Sequence, residues 1–251
     1  VLAMRYVHAI GLVLVLVMNV LAQRLPLGGR TTGELSAKYP SLVTPAGYAF
    51  SIWLLIYTFL IGFVIYSFTH AGRNSKAVKA VGFYFPLSCV FNAGWLLAWH
   101  YEYVYESVFV MLALLLTIIA IYTRVRAAGE TYVSMGERWF VRVPFSLYLG
   151  WICVATIVNI SSALHASKWD GFGLSETLWA PIVLAVGAVI ALAIAFTRRD
   201  AVVPLVFVWA YVAICMKQQD HPGVVYTAAV LAVVLAAAAV LAFLRSMRTA
   251  S

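Results

Sequence analysis

The chain has 251 residues, of which 64% are apolar and only 10% charged. A soluble domain is about 45–50% apolar and about 25% charged, so an ordinary aqueous globule, a disordered chain and a secreted scaffold are all excluded. The formal charge of +8 is not a nucleic-acid footprint, because the charges sit between long apolar runs.

Those runs give the predicted elements in order. Stretches 6–23, 39–72, 80–101, 107–123, 143–167, 177–197, 201–216 and 221–244 contain no Lys, Arg, Asp or Glu, and a bilayer span needs about 17–25 residues. They predict an all-α integral membrane protein with eight transmembrane helices. Span one covers Tyr6–Gln23 and closes at Arg24, Pro26, Gly28 and Gly29. Arg5 followed by an apolar run to Ala22 also has the outline of a signal peptide, and is read here as a retained span. A first loop over about 24–45, rich in Gly, Ser and Thr, precedes span two at Gly47–Phe68. The basic loop HAGRNSKAVK leads into span three, Val81–His100, and a turn at Glu102 into span four, Tyr103–Val125. A loop over 126–138 with Gly129 and Gly136 precedes span five, Trp139–Leu164. HASKWDGFGLSE at 165–176 is the strongest internal boundary, with Ser175 as the expected N-cap of span six at 176–196. Spans seven (201–217, with Pro204 in its first turn) and eight (223–244) complete the count.

Sorting charge by loop predicts orientation. Arg5, Arg73, Lys76, Lys79, Arg124, Arg126, Arg138, Arg142, Arg198, Arg199, Arg245 and Arg248 fall on one side, against Arg24, Arg30, Lys38, Lys168 and Lys217 on the other. Basic residues favour the cytoplasmic face, so both termini are expected there. The lipid bilayer is the first partner, with an anionic lipid surface under the basic loops.

Several chemistries lack sequence support. Cys89, Cys153 and Cys215 lie inside spans without metal or redox spacing and read as small apolar filler. The histidines form no i, i+4 pair and no Cys/His cluster. No lysine lies in mid-span, which excludes a buried Schiff base, and Glu106 and Glu176 lie only at span ends, unlike the buried acids of an ion-coupled pump. No nucleotide motif or nucleophile triad is present.

Aromatic and amide side chains instead form stripes. Span two places Phe50, Trp53 and Tyr57 along one side. Span three does so with Ser88, Asn92, Trp95 and Trp99, and span five with Tyr148, Trp151, Ala155, Asn159 and Ser162. An amide in hydrocarbon needs a partner, so these faces should turn inward. Interhelical packing alone accounts for such stripes; a ligand pocket lined by aromatics is the alternative.

Three segments carry a family resemblance: TPAGYAFSIWLLIY (44–57), FNAGWLLAWHYEY (91–103) and VPFSLYLGWICVATIVNISSAL (143–164). They resemble the TspO/MBR family (tryptophan-rich sensory protein, translocator protein), and most of all its long bacterial branch with additional C-terminal helices. The matching positions are Pro45 with Trp53, Asn92 with Trp95, and Trp151, Ala155, Thr156 and Asn159. The resemblance covers about residues 1–165. Three departures stand out: Ser51 and Ile52 occupy the place of a further proline, Pro144 precedes Trp151 by seven residues, and loop 24–45 has no Trp.

The resemblance implies a TspO-like five-helix membrane unit over 1–166, followed by three more transmembrane helices over 167–251. It implies a cavity between helices two, three and five that binds a planar hydrophobic small molecule, a porphyrin or haem before others, with no cofactor required. Carried over by position, with Tyr148 added from the span-five stripe, the ligand-binding residues are Phe50, Trp53, Tyr57, Asn92, Trp95, Tyr148, Trp151, Ala155 and Asn159. The expected role is a membrane receptor or carrier in the bacterial inner membrane, as a homodimer or part of a larger membrane complex, without nucleic acid. The alternative is a structural or accessory subunit docking through spans six to eight. A porphyrin-degrading enzyme is a third reading with no acid–base pair behind it.

Overall fold

A computed structural model describes residues 2–24, 27–128 and 133–248, apart from the side chains of Leu2 and Arg248. Pro26 and Gly129, expected at loop positions, lie outside the described residues. The helices in chain order are α1 (Leu2–Gln23), α2 (Thr32–Lys38), α3 (Ile52–Phe68), α4 (His70–Asn74), α5 (Lys76–Val81), α6 (Tyr84–His100), α7 (Val104–Ala127) and α8 (Met135–Glu137). They continue with α9 (Val143–Ala166), α10 (Glu176–Arg198), α11 (Val202–Lys217) and α12 (Pro222–Arg248). No strand occurs among the described residues.

Among the described residues, six helical segments are long and apolar enough to cross a membrane: Ala3–Gly29, Gly47–Phe68, Val104–Ala127, Met135–Ala166, Glu176–Arg198 and Pro222–Met247. The chain is therefore a multi-pass integral membrane protein. The expected count of eight is not reached on these criteria. Helix α6 has 17 residues and α11 has 16, so each rises only about 24–26 Å at 1.5 Å per residue, against a hydrocarbon core of about 30 Å. Span three was expected from Val81, but Val81 ends α5, and Gly82 then breaks the chain at φ 50°. The loop between α3 and α6 is itself helical, because Thr69 caps α4 by accepting from Gly72 N and Ser75 caps α5 by accepting from Val78 N. Ser175 precedes α10 in an extended conformation, but its hydroxyl pairs with Thr177 Oγ1 at 2.8 Å rather than capping the backbone.

Packing divides the chain into two compact units. The first comprises Val1–Thr32 with Ile52–Leu149, and the second Gly33–Ser51 with Gly150–Ser251. In the first unit α1 packs on α3 and α6, and α7 on α5 and α6. Its centre is a triad of Phe63, Phe85 and Phe145, with ring centroids 5.1–6.1 Å apart in edge-to-face geometry, worth about 0.5–1.5 kcal/mol per pair beyond area burial. His8 leans on two of these rings and bonds Gly82 O at 2.8 Å. Glu137 is buried, and accepts from Arg142 Nε and Nη2 at 3.0 and 2.9 Å and from Ser75 Oγ at 3.1 Å.

The second unit packs α10, α11 and α12 pairwise. Small residues let these helices approach closely. Ala180, Gly187, Ala188, Ala191 and Ala195 are buried on α10, and Ala228, Ala232, Ala238, Ala239 and Ala242 on α12. The larger Val186, Val189, Val230 and Val233 face outward, as a lipid-facing surface requires. Between α10 and α11 the chain turns at Arg199 (φ 51°, ψ 43°), and Asp200 Oδ1 accepts from Val202 N and Val203 N at 2.8 and 3.2 Å. That carboxylate satisfies two orphan donors at the start of α11.

The first loop is also ordered by the second unit. Ala46 N donates to Ala213 O at 3.0 Å, and Gln218 Nε2 donates to Ser41 O and Thr44 O at 3.2 and 3.1 Å. Trp209 Nε1 donates to Ala49 O at 3.0 Å, and Leu42 N donates to Glu176 Oε1 at 2.9 Å. Residues 41–49 are thus held by α10 and α11.

Candidate functional site

In the first unit, four helices each supply one polar group to a single buried chain of hydrogen bonds. Asn19 of α1 donates through Nδ2 to Tyr57 Oη at 2.6 Å, and Tyr57 Oη donates to Asn92 Oδ1 at 3.4 Å. Asn92 Nδ2 donates to Tyr148 Oη of α9 at 2.8 Å. Tyr57, Asn92 and Tyr148 are all buried. Membrane burial forces this arrangement, since an amide without a partner in hydrocarbon costs several kcal/mol.

Trp53 sits one helical turn before Tyr57 and stacks on it, with centroids 5.3 Å apart and ring planes 14° from parallel. It also meets the edge of Tyr148 at 5.9 Å and 76°. Trp53 is half-buried, while both rings behind it are buried. The result is a flat aromatic platform whose orientation is fixed by an amide and hydroxyl network.

Of the nine residues expected at a site, Trp53, Tyr57, Asn92 and Tyr148 come together here. Trp95 stacks on Trp99 at 5.8 Å and 12°. Trp99 Nε1 reaches Thr32 O at 3.4 Å, beside a group in which Gln23, Thr32 and His100 share hydrogen bonds. The remaining four residues belong to the second unit. Phe50 meets Trp151 edge-on at 5.9 Å and 88°. Ala155 and Asn159 follow Trp151 by one and two turns along α9, half-buried and buried respectively. Asn19 was not anticipated, although a lone amide amid the aliphatic residues of span one needs a buried partner on the same reasoning that singled out Asn92.

The sequence profile of a family described as TSPO-like protein matches residues 5–241. The chain belongs to the TSPO-like family. The match runs well beyond the segment 1–165 that carried the resemblance, and takes in α10, α11 and most of α12. In this TSPO-like chain the three C-terminal helices are therefore part of the family pattern. No curated protein and no solved structure matches the chain.

Proposed function

We infer that this TSPO-like protein is a membrane receptor or carrier for a planar hydrophobic ligand, and that a tetrapyrrole such as a porphyrin or haem is the ligand. The observation that carries this reading is the half-buried Trp53 ring stacked on Tyr57 and backed by the Asn19–Tyr57–Asn92–Tyr148 network. A flat macrocycle gains most from a flat ring whose orientation is set before it binds. The inward network fixes that ring from behind, so binding does not have to order it.

Family membership supports the receptor or carrier class, and the platform supports the choice of a planar ligand. All eight apolar stretches cross the bilayer in this reading. Helices α6 and α11 do so by burying their short spans among longer neighbours, and the basic loops keep both termini on the cytoplasmic side of an inner membrane.

The test is a fluorescence titration of the purified chain in neutral detergent with protoporphyrin IX. Saturable quenching of tryptophan emission is expected, with the apparent Kd raised about tenfold by Trp53→Leu, as loss of one stacking contact of about 1.4 kcal/mol requires. Equal affinity in wild type and Trp53→Leu removes the platform from the site. An absence of saturable quenching removes the tetrapyrrole.

A further inference from the structure

A cavity lies wholly within the second unit. It has a volume of about 240 Å³ and opens among loop 41–43, the end of α9, loop 169–174 and the start of α10. Its wall combines two kinds of group that rarely share a surface by accident. Trp169 and Trp179 face each other with centroids 5.4 Å apart and planes at 46°. Asp170, Glu176 and His165 also line it, and no lysine or arginine is among its lining residues.

Both carboxylates are anchored through one oxygen. Glu176 Oε1 accepts from Leu42 N at 2.9 Å, and Asp170 Oδ1 accepts from Phe172 N at 3.1 Å. Each carboxylate is thereby positioned by a backbone bond at the exposed rim of the cavity. Trp179 is fixed as well, since its Nε1 donates to Gly171 O at 2.7 Å. Gly171 has φ +63°, and a Cβ there would come within 2.9 Å of Trp179 Nε1, so the loop and the indole are built for each other. Trp169 packs edge-on against Phe172 at 5.2 Å, which steadies the opposite ring.

We propose that this cavity binds an ammonium group carried on an apolar body, with the charge set against the contacting indole pair on one side and the two carboxylates on the other. Indole faces attract a cation through the ring quadrupole, and two fixed carboxylates complement its charge. A hard divalent metal is disfavoured, because it seeks six or more oxygen ligands and most of this wall is carbon. An anion meets two negative charges. A drug-sized ligand fills about 300–1,000 Å³, so 240 Å³ suits the charged head and the first ring of an amphiphile whose remainder stays outside. A free organic amine and the ethanolamine head of a lipid offer the same chemistry.

The experiment is equilibrium dialysis of benzyltrimethylammonium against the full chain in neutral detergent, beside neopentylbenzene, which replaces the cationic nitrogen with carbon. Saturable binding of the cation that weakens with added salt is expected, with far weaker binding of the isostere. Glu176→Gln and Asp170→Asn keep the anchoring oxygen and the loop bonds while removing charge, and each should weaken binding about fivefold. Trp169→Leu should weaken it by a similar factor of about five. Nanodiscs with and without phosphatidylethanolamine separate the sources: competition assigns the site to a lipid head, and its absence to a free amine. Equal binding of cation and isostere, or unchanged binding in both charge variants, overturns the proposal. Protoporphyrin quenching on the Trp53 platform is measured separately, so either result stands without the other.

Discussion

Asn92→Ala tests the buried network most sharply, because Asn92 is the middle link between Tyr57 and Tyr148. Truncation removes the 2.8 Å bond to Tyr148 Oη and the longer 3.4 Å bond from Tyr57 Oη. Interhelical hydrogen bonds in membrane proteins are worth about 0.6 kcal/mol on average and up to about 1.7. The short bond in a closed site belongs near the upper end and the long one near the lower. Together the two bonds come to about 2 kcal/mol. At about 2–4 °C per kcal/mol for a chain of this size, apparent Tm should fall by about 4–8 °C. Cys89 is buried in the same unit at 2% exposure, so a thiol-reactive dye reports the opening of this unit directly. Tyr148→Phe removes only the hydroxyl and should lower Tm by about 3 °C, from a loss of about 1 kcal/mol. Because the two variants delete the same bond, the double variant should be little worse than Asn92→Ala alone, with a coupling of about 1 kcal/mol. Strict additivity at one scan rate would refute the network as drawn.

Other perturbations follow from the packing. A Cβ at Gly187 would stand 2.6 Å from Tyr211 Oη and 3.2 Å from Ile157 Cδ1 and Phe207 Cε1. Gly187→Ala should therefore cost about 1–3 kcal/mol by overpacking, seen as a lower Tm that Tyr211→Phe partly restores. Arg142→Met leaves Glu137 buried at 3% exposure without its cation, and should destabilise by about 3–5 kcal/mol in thermal unfolding; adding Glu137→Gln should recover part of that. Gln218→Leu frees the carbonyls of Ser41 and Thr44. Limited proteolysis within loop 33–51 should then run about tenfold faster, since about 1.4 kcal/mol of local holding is lost.

The long helices were readable because apolar run length and bilayer thickness are the same constraint written twice. The ends were readable where charge stops the run: α10 and α12 begin within a residue of expectation, whereas Gly82 cuts α6 short inside an uncharged stretch. Of the expected site, the i, i+4 relation between Trp53 and Tyr57 was visible as a stripe, since it lies within one helix. The partners of the stripe were not, because Asn19 reaches Tyr57 across 38 positions and Asn92 reaches Tyr148 across 56. Trp95 stacks on Trp99 within its own stripe, as one-turn spacing on a helix allows. Trp169 precedes α10 and Trp179 lies in its first turn. Only the turn at Gly171, with its positive φ and its bond to Trp179 Nε1, brings them onto one wall. The order in residues 41–49 likewise comes from donors on Trp209 and Gln218, more than 150 positions away, and no local pattern announces it.

The most direct test of the central claim is an experimental structure of the chain with saturating protoporphyrin IX. The account predicts macrocycle density lying flat against the outer face of Trp53, with Tyr57, Asn92 and Tyr148 still bonded behind it. Macrocycle density elsewhere, away from Trp53 at full occupancy of the pigment, would contradict it.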